Sequence, residues 1–591
     1  MKVIAKGKNL LYFLRVMDKK SLESLQSHST VNEVLDYMYK FKNKKALVYK
    51  DTNNNEKFFT YSEFVSSCKK AALFLNKKFS GERIALISRS DVDWIRAYFA
   101  IIYSGNTAVL IPESVPEEVA SIMVSKSNSK AILCDKQNFV ISKKISKNLN
   151  ISFVKKTQAF FSERDKRTFK LDISLDPESE ACILFTSGTT TFSKGVVLTH
   201  TSIVSNIYSA KLGFPWANIK KSLLMLPLFH IFGLIHAMLA RLSQGTVVYI
   251  ANDMKAFIKN ILWSKPSVLA LVPAQIETLI DMIESDSSLQ SICKNLKAIL
   301  AGGSNVNSET KRKLLNYNIQ LYQGYGLTEC MSIAGSTDKS SHFDSVGKVY
   351  PGNKVKIGQD GEILFKGKIL FKKYLDPEQT KEAFDKEGWY KTGDLGHFDK
   401  DDFLYVTGRK KFLIILDNGE NISPEEIESL ICRNKKIKEA LAFETKLANN
   451  TKVVGMEVYA PELSLSNISD IIDKTNCKLE KHKRIHFITK REEPFPKNAA
   501  NKIIRTGFEN SLLKKIKKNL ISSSTVDYKE KDITLDSKFV EDLGISSVSF
   551  GNIVVQLEEE LGIEILIEDM SKILTVGDFC AYIQKRCRVC A

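Results

Sequence analysis

Cysteine is sparse and unpatterned in this chain. Ten residues are scattered over 591 without the paired spacings of a disulfide framework, so they read as reduced thiols of a cytoplasmic protein. The terminal Cys587-Arg-Val-Cys590 has no second pair and no nearby histidine, which favours surface thiols over a zinc site. With 29 glycines and 13 prolines the chain is not collagen-like, and 43% apolar against 26% charged residues is not the composition of a disordered protein. No internal repeat and no long low-complexity linker is visible. Residues 1–15 hold early lysines but only a short apolar run, Leu10 to Leu14, too short for a secretory signal. One stretch, Ser222 to Ala240, contains no Asp, Glu, Lys or Arg and is long enough to span a bilayer. Pro227, His230, Gly233 and His236 interrupt it, so a buried strand-turn-helix segment is expected and no transmembrane segment.

Acidic residues are the minority, 68 Asp+Glu against 86 Lys+Arg, for a net charge of +18. The lysines are spread singly or in pairs (Lys19-Lys20, Lys44-Lys45, Lys77-Lys78, Lys410-Lys411) with no nucleic-acid-binding motif to organise them, so a solvated basic surface is expected and no nucleic-acid partner. From about residue 45 to 330 apolar runs alternate with helical patterns, as in Arg83 to Ser88 then Asp91 to Tyr103, and Ala131 to Cys134 then Asp135 onward. That alternation argues for an α/β domain with mostly parallel sheets. Around 350–410 it shortens to strands (Lys354 to Ile357, Glu362 to Phe365, Phe403 to Val406), a small β subdomain, and an α+β segment runs on to about 508. The character then reverses: Phe539 to Ser571 has no Lys or Arg against eight acids, a small acidic domain fused to a basic body.

The strongest local signal is Thr186-Ser187-Gly188-Thr189-Thr190-Thr-Phe-Ser-Lys194-Gly195, between two apolar runs. Hydroxyls and glycines in such a loop offer O–H and N–H donors to phosphate oxygens, and Lys194 adds a mobile positive charge. The P-loop spacing fails, because Ser193 precedes Lys194 and Gly195 follows it. Together with Gly324-Tyr-Gly-Leu-Thr-Glu329, Tyr390-Lys-Thr-Gly-Asp394, Gly408-Arg409-Lys-Lys411 and Lys502-Ile-Ile-Arg505, this run resembles the adenylate-forming superfamily of acyl-CoA synthetases, adenylation domains and luciferases. The resemblance covers roughly residues 30–508, with five motifs in the family's order.

The resemblance implies an ATP site. Tyr325 stacks on adenine with Gln323 and Gly324 at its edge, and Asp394 accepts both ribose hydroxyls with Arg409 nearby. Thr328 and Glu329 hold the α-phosphate and Mg²⁺, with Glu329 as the metal ligand. Lys502 bridges carboxylate and α-phosphate where charge grows in the transition state. Lys410-Lys411 fall at the hinge about which the family's small C-terminal domain rotates between adenylating and thioester-forming poses. The chain departs from the family at Thr191 (usually Gly), Ser193 (usually Pro) and Asn501 (usually Gly).

Glu541-Asp-Leu-Gly-Ile-Ser-Ser547 opens a second module. Phe550, Ile553, Val554, Leu557 and Leu561 recur at helical spacing behind it. It resembles an acyl carrier protein, in which Ser547 receives 4′-phosphopantetheine from a phosphopantetheinyl transferase, with Ser546 in place of the usual Asp and Val548 in place of the usual Leu. The expected domains are a large adenylating domain (1–407), a small mobile ligase domain (408–508) and an all-α four-helix carrier (509–591).

Amino-acid-activating members usually place an Asp in the segment matching 226–236 to pair with the substrate ammonium. Here Leu226 to His236 contains no carboxylate, and a buried unpaired ammonium costs several kcal/mol. The segment looks like that of fatty- and aryl-acid ligases, with Ile231, Phe232 and Ile235 as an apolar wall and His230 either a pocket gate or a core histidine. The expected activity is ATP-dependent formation of a fatty acyl-AMP and acyl transfer to the chain's own carrier, for a downstream acyl-accepting enzyme. Free CoA is the alternative acceptor, other carriers a second, and an aryl acid the alternative substrate. A tether raises the local thiol concentration to about millimolar, and the acidic carrier is steered toward the basic body.

Overall fold

The computed structural model describes residues 28–162, 173–186, 194–212, 219–251, 256–304, 306, 308–335, 342, 344–417, 420–446, 451–497, 503–505, 516–521, 533–534, 537–561, 565 and 573–589. Contacts divide the chain into two units, one ending at Thr392 but including Gly396–Val406, the other comprising Gly393–Leu395 and everything from Thr407.

Short strands, the central ones rich in apolar residues, make the first unit. Thr107–Ile111 and Ala131–Cys134 are buried along their full length, as strands covered on both faces must be. In a seven-stranded sheet, Phe153–Lys156, Ala131–Cys134, Arg83–Ile87, Thr107–Ile111 and Glu180–Phe185 run parallel in that order. Gly195–Thr199 and Lys373–Tyr374 close its far edge antiparallel. In a nine-stranded sheet the parallel run is Gln320–Tyr325, Ala298–Ala301, Val268–Leu271, Lys221–Leu224, Val247–Ile250 and Lys45–Lys50, with antiparallel strands at both edges. The sheets are thus mostly parallel in their interiors, as the alternation implied, and mixed at their edges.

Three helices of the first unit start at side-chain caps. Thr30 and Thr60 each form a capping box, with Glu33 and Glu63, and Asp91 accepts from the backbone of Asp93 and Trp94 ahead of Val92–Tyr103. The helix expected after Asp135 begins later, at Phe139, because Asp135 accepts the Asn138 N–H and holds a turn. The charge-free stretch is a strand (Lys221–Leu224), a turn in which His230 donates to the Pro227 carbonyl, and a π-helical segment (Gly233–Leu239). Gly233 is required there, since a β-carbon would lie 2.3 Å from the Pro227 oxygen. Among the described residues no helix is long and apolar enough to cross a membrane. A four-stranded sheet of Lys354–Ile357, Glu362–Lys366, Tyr390–Phe398 and Leu404–Arg409 follows.

In the second unit, Glu439–Lys446, Lys452–Tyr459 and Ile485–Arg491 form a sheet whose first pair is antiparallel and second parallel. Ala442, Val454, Met456 and Ile488 on one face pack against Ile427 and Ile431 of helix Pro424–Ile431 and Ile468 and Ile472 of helix Leu465–Asn476. The C-terminal part is helical over 516–521, Ser547–Leu561 and Val576–Val589. Phe539, Phe550 and Phe579 meet ring to ring at its centre, 4.6 to 5.8 Å between centroids. Any fourth helix lies outside the described residues. The eight cysteines whose side chains are described are free thiols.

Candidate active site

The phosphate-loop motif is anchored at both ends. Thr186 leaves strand Glu180–Phe185, and its N–H donates to the Lys194 carbonyl at 3.0 Å, closing the loop. The Lys194 ammonium lies 4.8 Å above the Tyr374 ring. Ser187, Gly188, Thr189 and Thr190, with Thr191 and Ser193, lie outside the described residues.

Gln323, Gly324 and Tyr325 end the strand Gln320–Tyr325. Gln323 is buried and its Oε1 accepts the Val306 N–H at 3.3 Å, which fixes the amide's direction. Tyr325 pairs with Ala334 across an antiparallel bridge, and its carbonyl accepts the Ile333 N–H at 2.8 Å. The turn that follows is crowded: a β-carbon on Gly326 would fall 1.2 Å from the Met331 carbonyl oxygen.

That turn delivers Thr328 and Glu329. The Glu329 carbonyl accepts the Phe371 N–H, and its buried carboxylate accepts a hydrogen bond from the Tyr374 hydroxyl at 2.7 Å. The Tyr390 hydroxyl stands 3.4 Å from that of Tyr374. Burial first, then the Glu329 charge, holds both phenols well above their ordinary value of 10, so both remain protonated donors. One carboxylate oxygen thus faces a neutral donor, and the second could take a cation. A single protein carboxylate suits Mg²⁺, which takes most of its ligands from phosphate and water. Tyr374 was not a sequence candidate, and its place 45 residues beyond Glu329 has no periodic signature.

Asp394 and Arg409, on strands Tyr390–Phe398 and Leu404–Arg409, form an ion pair at 2.6 Å with Asp394 buried. The pair expected at the ribose is therefore brought together. Lys410 and Lys411 begin a 3₁₀ turn, Lys410–Phe412, just past the Val406/Thr407 division between the units. Lys502 lies outside the described residues; its flanks are tied by a bridge between Lys497 and Ile503 and by Ile504 N–H to Pro496 carbonyl. Arg505 is paired with Glu428, whose other oxygen accepts the Ala442 N–H.

His230 packs against Phe229, 4.6 Å between centroids, and burial holds its imidazole below the ordinary value. Its Nε2 is buried and has no hydrogen-bond partner among the described residues. Ile231 and Phe232 are half-buried, while Ile235 is fully buried in the core. The Phe232 ring lies against Gly302, where a β-carbon would meet it at 2.9 Å. His236, read in the sequence only as a break in an apolar run, pairs its Nε2 with the Ser332 hydroxyl at 2.8 Å. Burial, with Arg241, pushes its imidazole down to about 3, so it is neutral.

Ser547 is the first residue of helix Ser547–Leu561. Ser546, the residue that replaces the usual Asp, acts as its cap: its hydroxyl accepts the Ser549 N–H at 3.1 Å and its carbonyl the Phe550 N–H at 2.8 Å.

Residues 36–375 match the AMP-binding enzymes, residues 412–520 the C-terminal domain of AMP-binding enzymes, and residues 521–583 a phosphopantetheine attachment site. The chain is 27% identical over 499 residues to 4-coumarate–CoA ligase-like 9 of Arabidopsis thaliana, covering 78% of this chain and 87% of that one. It is 27% identical over 477 residues to 2-succinylbenzoate–CoA ligase of Oceanobacillus iheyensis, covering 78% and 95%. The fold superposes on o-succinylbenzoate CoA synthetase of Bacillus subtilis in complex with its acyl-adenylate intermediate, with a TM-score of 0.70 at 23% identity, over 81% of this chain and 98% of that one. Fold and matches together define an ATP-dependent, acyl-AMP-forming ligase that carries a phosphopantetheine attachment domain. The chain belongs to the AMP-binding enzyme family.

Proposed function

We propose that this ligase activates an apolar carboxylic acid, a fatty acid in the first instance, as its acyl-AMP and passes the acyl group to the pantetheine thiol on its own Ser547. The observation that carries the reading is one chain holding an adenylating region (36–375) and a phosphopantetheine attachment region (521–583) whose serine opens a capped helix. In the first step a carboxylate oxygen attacks the α-phosphorus of ATP in line and pyrophosphate leaves. Tyr325, Gln323 and Gly324 take the adenine, and Asp394, held by Arg409, takes the ribose hydroxyls. Glu329, oriented by Tyr374, is the protein ligand for Mg²⁺, which supplies charge neutralisation at the phosphates. Thr186 and Lys194 brace the loop on which Ser187, Gly188, Thr189 and Thr190 offer donors to the phosphates. Lys502 bridges the carboxylate and the α-phosphate.

In the second step a thiol attacks the acyl carbon, AMP leaves, and the thiol proton passes to solvent. The motion that brings it in replaces Lys502, with Lys410-Lys411 at the hinge. A helix N-terminus favours the phosphodiester that joins the arm to Ser547. The lack of any carboxylate between Leu226 and His236, with Phe232 packed on Gly302, supports an acid without an ammonium group. An aryl acid is the second reading, supported by relatives named for coumarate and succinylbenzoate. Free thiols throughout the described residues support a cytoplasmic site of action.

The test is the Ser547→Ala variant of the full chain after treatment with a phosphopantetheinyl transferase. Acyl-AMP formation at the wild-type rate together with loss of acyl-protein is the expected result. Persistence of acyl-protein refutes the carrier role.

A further inference from the structure

The sheet of the second unit has two faces, and only one is used by its own helices. Alternate residues on the other face are Phe443, Gly455 and Phe487, in register across all three strands: Phe443 pairs with Gly455, and Gly455 with Phe487. Gly455 leaves a notch between two rings, for a β-carbon there would stand 2.7 Å from the Phe443 ring. Phe443 and Phe487 meet edge to face across it, 5.9 Å between centroids. Such a glycine between aromatics on an outward face would, by itself, present an apolar platform to water.

It does not, because Phe487 is 3% exposed and belongs to the core of the C-terminal helical domain. Phe487 lies in one buried cluster with Ile516 and Leu520 of the helical stretch 516–521 and with Ile553, Leu557 and Phe579, and Phe443 packs against the same cluster. It is absent from the core that the sheet builds with helices Pro424–Ile431 and Leu465–Asn476. The neighbouring part of this face is closed differently: Leu441 and Glu457, paired across the strands, are buried, with Arg491 3.8 Å from Glu457 and stacked on Phe495. The chain's own 491–495 segment thus accompanies one half of the face, and the carrier seals the aromatic half.

We propose that the Phe443–Gly455–Phe487 platform is a built docking surface for the chain's own carrier domain, so that the small ligase domain and the carrier turn as one body. This rests on the reading of residues 509–591 as the acyl acceptor and adds to it the route. The arm on Ser547 is moved by the same rotation that changes the ligase pose, and a free swinging linker is not required. Docking through rings also differs from charge steering, since an apolar seam is not weakened by salt.

The test is hydrogen–deuterium exchange on the full chain with Ser547 unmodified, so it is independent of acylation. In Phe487→Ser, amides of 516–521 and of helix Ser547–Leu561 should exchange at least about tenfold faster, as expected when a large buried ring is replaced by a hydroxyl. Amides of helix Pro424–Ile431 on the opposite face should not change, and acyl-AMP formation should stay at the wild-type rate. Phe487→Leu should restore most of the protection, and 1 M NaCl should leave wild-type protection intact. Phe443→Ser should reproduce the same split if Phe487→Ser folds poorly. Carrier amides that exchange at the wild-type rate in both serine variants, or that are released by salt alone, overturn the proposal, as does opening of both faces together in both variants. If wild-type holo-protein never acquires an acyl group, the proposed acceptor fails while the exchange result still stands.

Discussion

Replacing Tyr374 with Phe removes one hydroxyl and tests what holds Glu329. The hydroxyl donates to the Glu329 carboxylate at 2.7 Å inside the protein, and burial keeps the phenol protonated across any working pH. A hydrogen bond to a charged group is worth about 1.5–3 kcal/mol, and at about 1.4 kcal/mol per decade that corresponds to roughly 10–100-fold in an equilibrium it supports. If Glu329 is the protein ligand for Mg²⁺, the orientation lost in Tyr374→Phe should raise the Mg²⁺ concentration for half-maximal activity by about that factor. The assay is acid-dependent ATP–pyrophosphate exchange over a Mg²⁺ titration, with thermal unfolding measured in parallel. Tyr390→Phe is the control, because its hydroxyl reaches Tyr374 only at 3.4 Å, and its effect should be smaller. A Tyr374→Phe enzyme with the wild-type Mg²⁺ dependence would falsify the assignment of Glu329 as an oriented metal ligand.

Other perturbations probe separate parts of the account. Lys502→Ala should lower acyl-AMP formation by about 10²-fold or more, as loss of one preorganised donor does; near-normal adenylation contradicts that role. Gly326→Ala places a β-carbon against the Met331 carbonyl, so the large unit should lose several degrees of thermal stability, about 3 kcal/mol or more, and unchanged melting refutes the packing. His200 is 1% exposed, accepts the Val31 N–H at Nδ1, and is pushed by burial from 6.5 down to about 4. Because the unfolded chain binds that proton first, its contribution is complete above pH 6.5 and is lost as pH falls toward 4, by up to about 3 kcal/mol. Urea denaturation at pH 7 and pH 5 should show this slope in wild type and less of it in His200→Gln; equal slopes contradict it.

What could be seen in the sequence was what is local. The phosphate loop, the Gly324-to-Glu329 run and the Asp394 and Arg409 motifs each occupy a few consecutive residues; the structure sets Thr186, Tyr325 and Arg409 at strand ends and Asp394 within a strand. The carrier helix was visible because its apolar stripe has the helical period and its cap lies beside it. The partners of those residues were not visible. Tyr374 on Glu329, Ser332 on His236 and Glu428 on Arg505 join positions 45, 96 and 77 residues apart, and pairing over such distances leaves no periodic trace. The second face of the three-stranded sheet was hidden for the same reason. Phe443, Gly455 and Phe487 are unremarkable in their own segments, and only strand register aligns them.

The most direct measurement is the intact mass of the pantetheinylated full chain after incubation with ATP, Mg²⁺ and a pool of fatty and aryl acids. A mass increment on the protein, dependent on ATP, absent in Ser547→Ala and equal to one acyl group from the pool, is the predicted result, and its size identifies the acid. No increment on the protein, with acyl-CoA accumulating as soon as free CoA is supplied, would contradict self-loading and make the carrier a passenger on a CoA ligase.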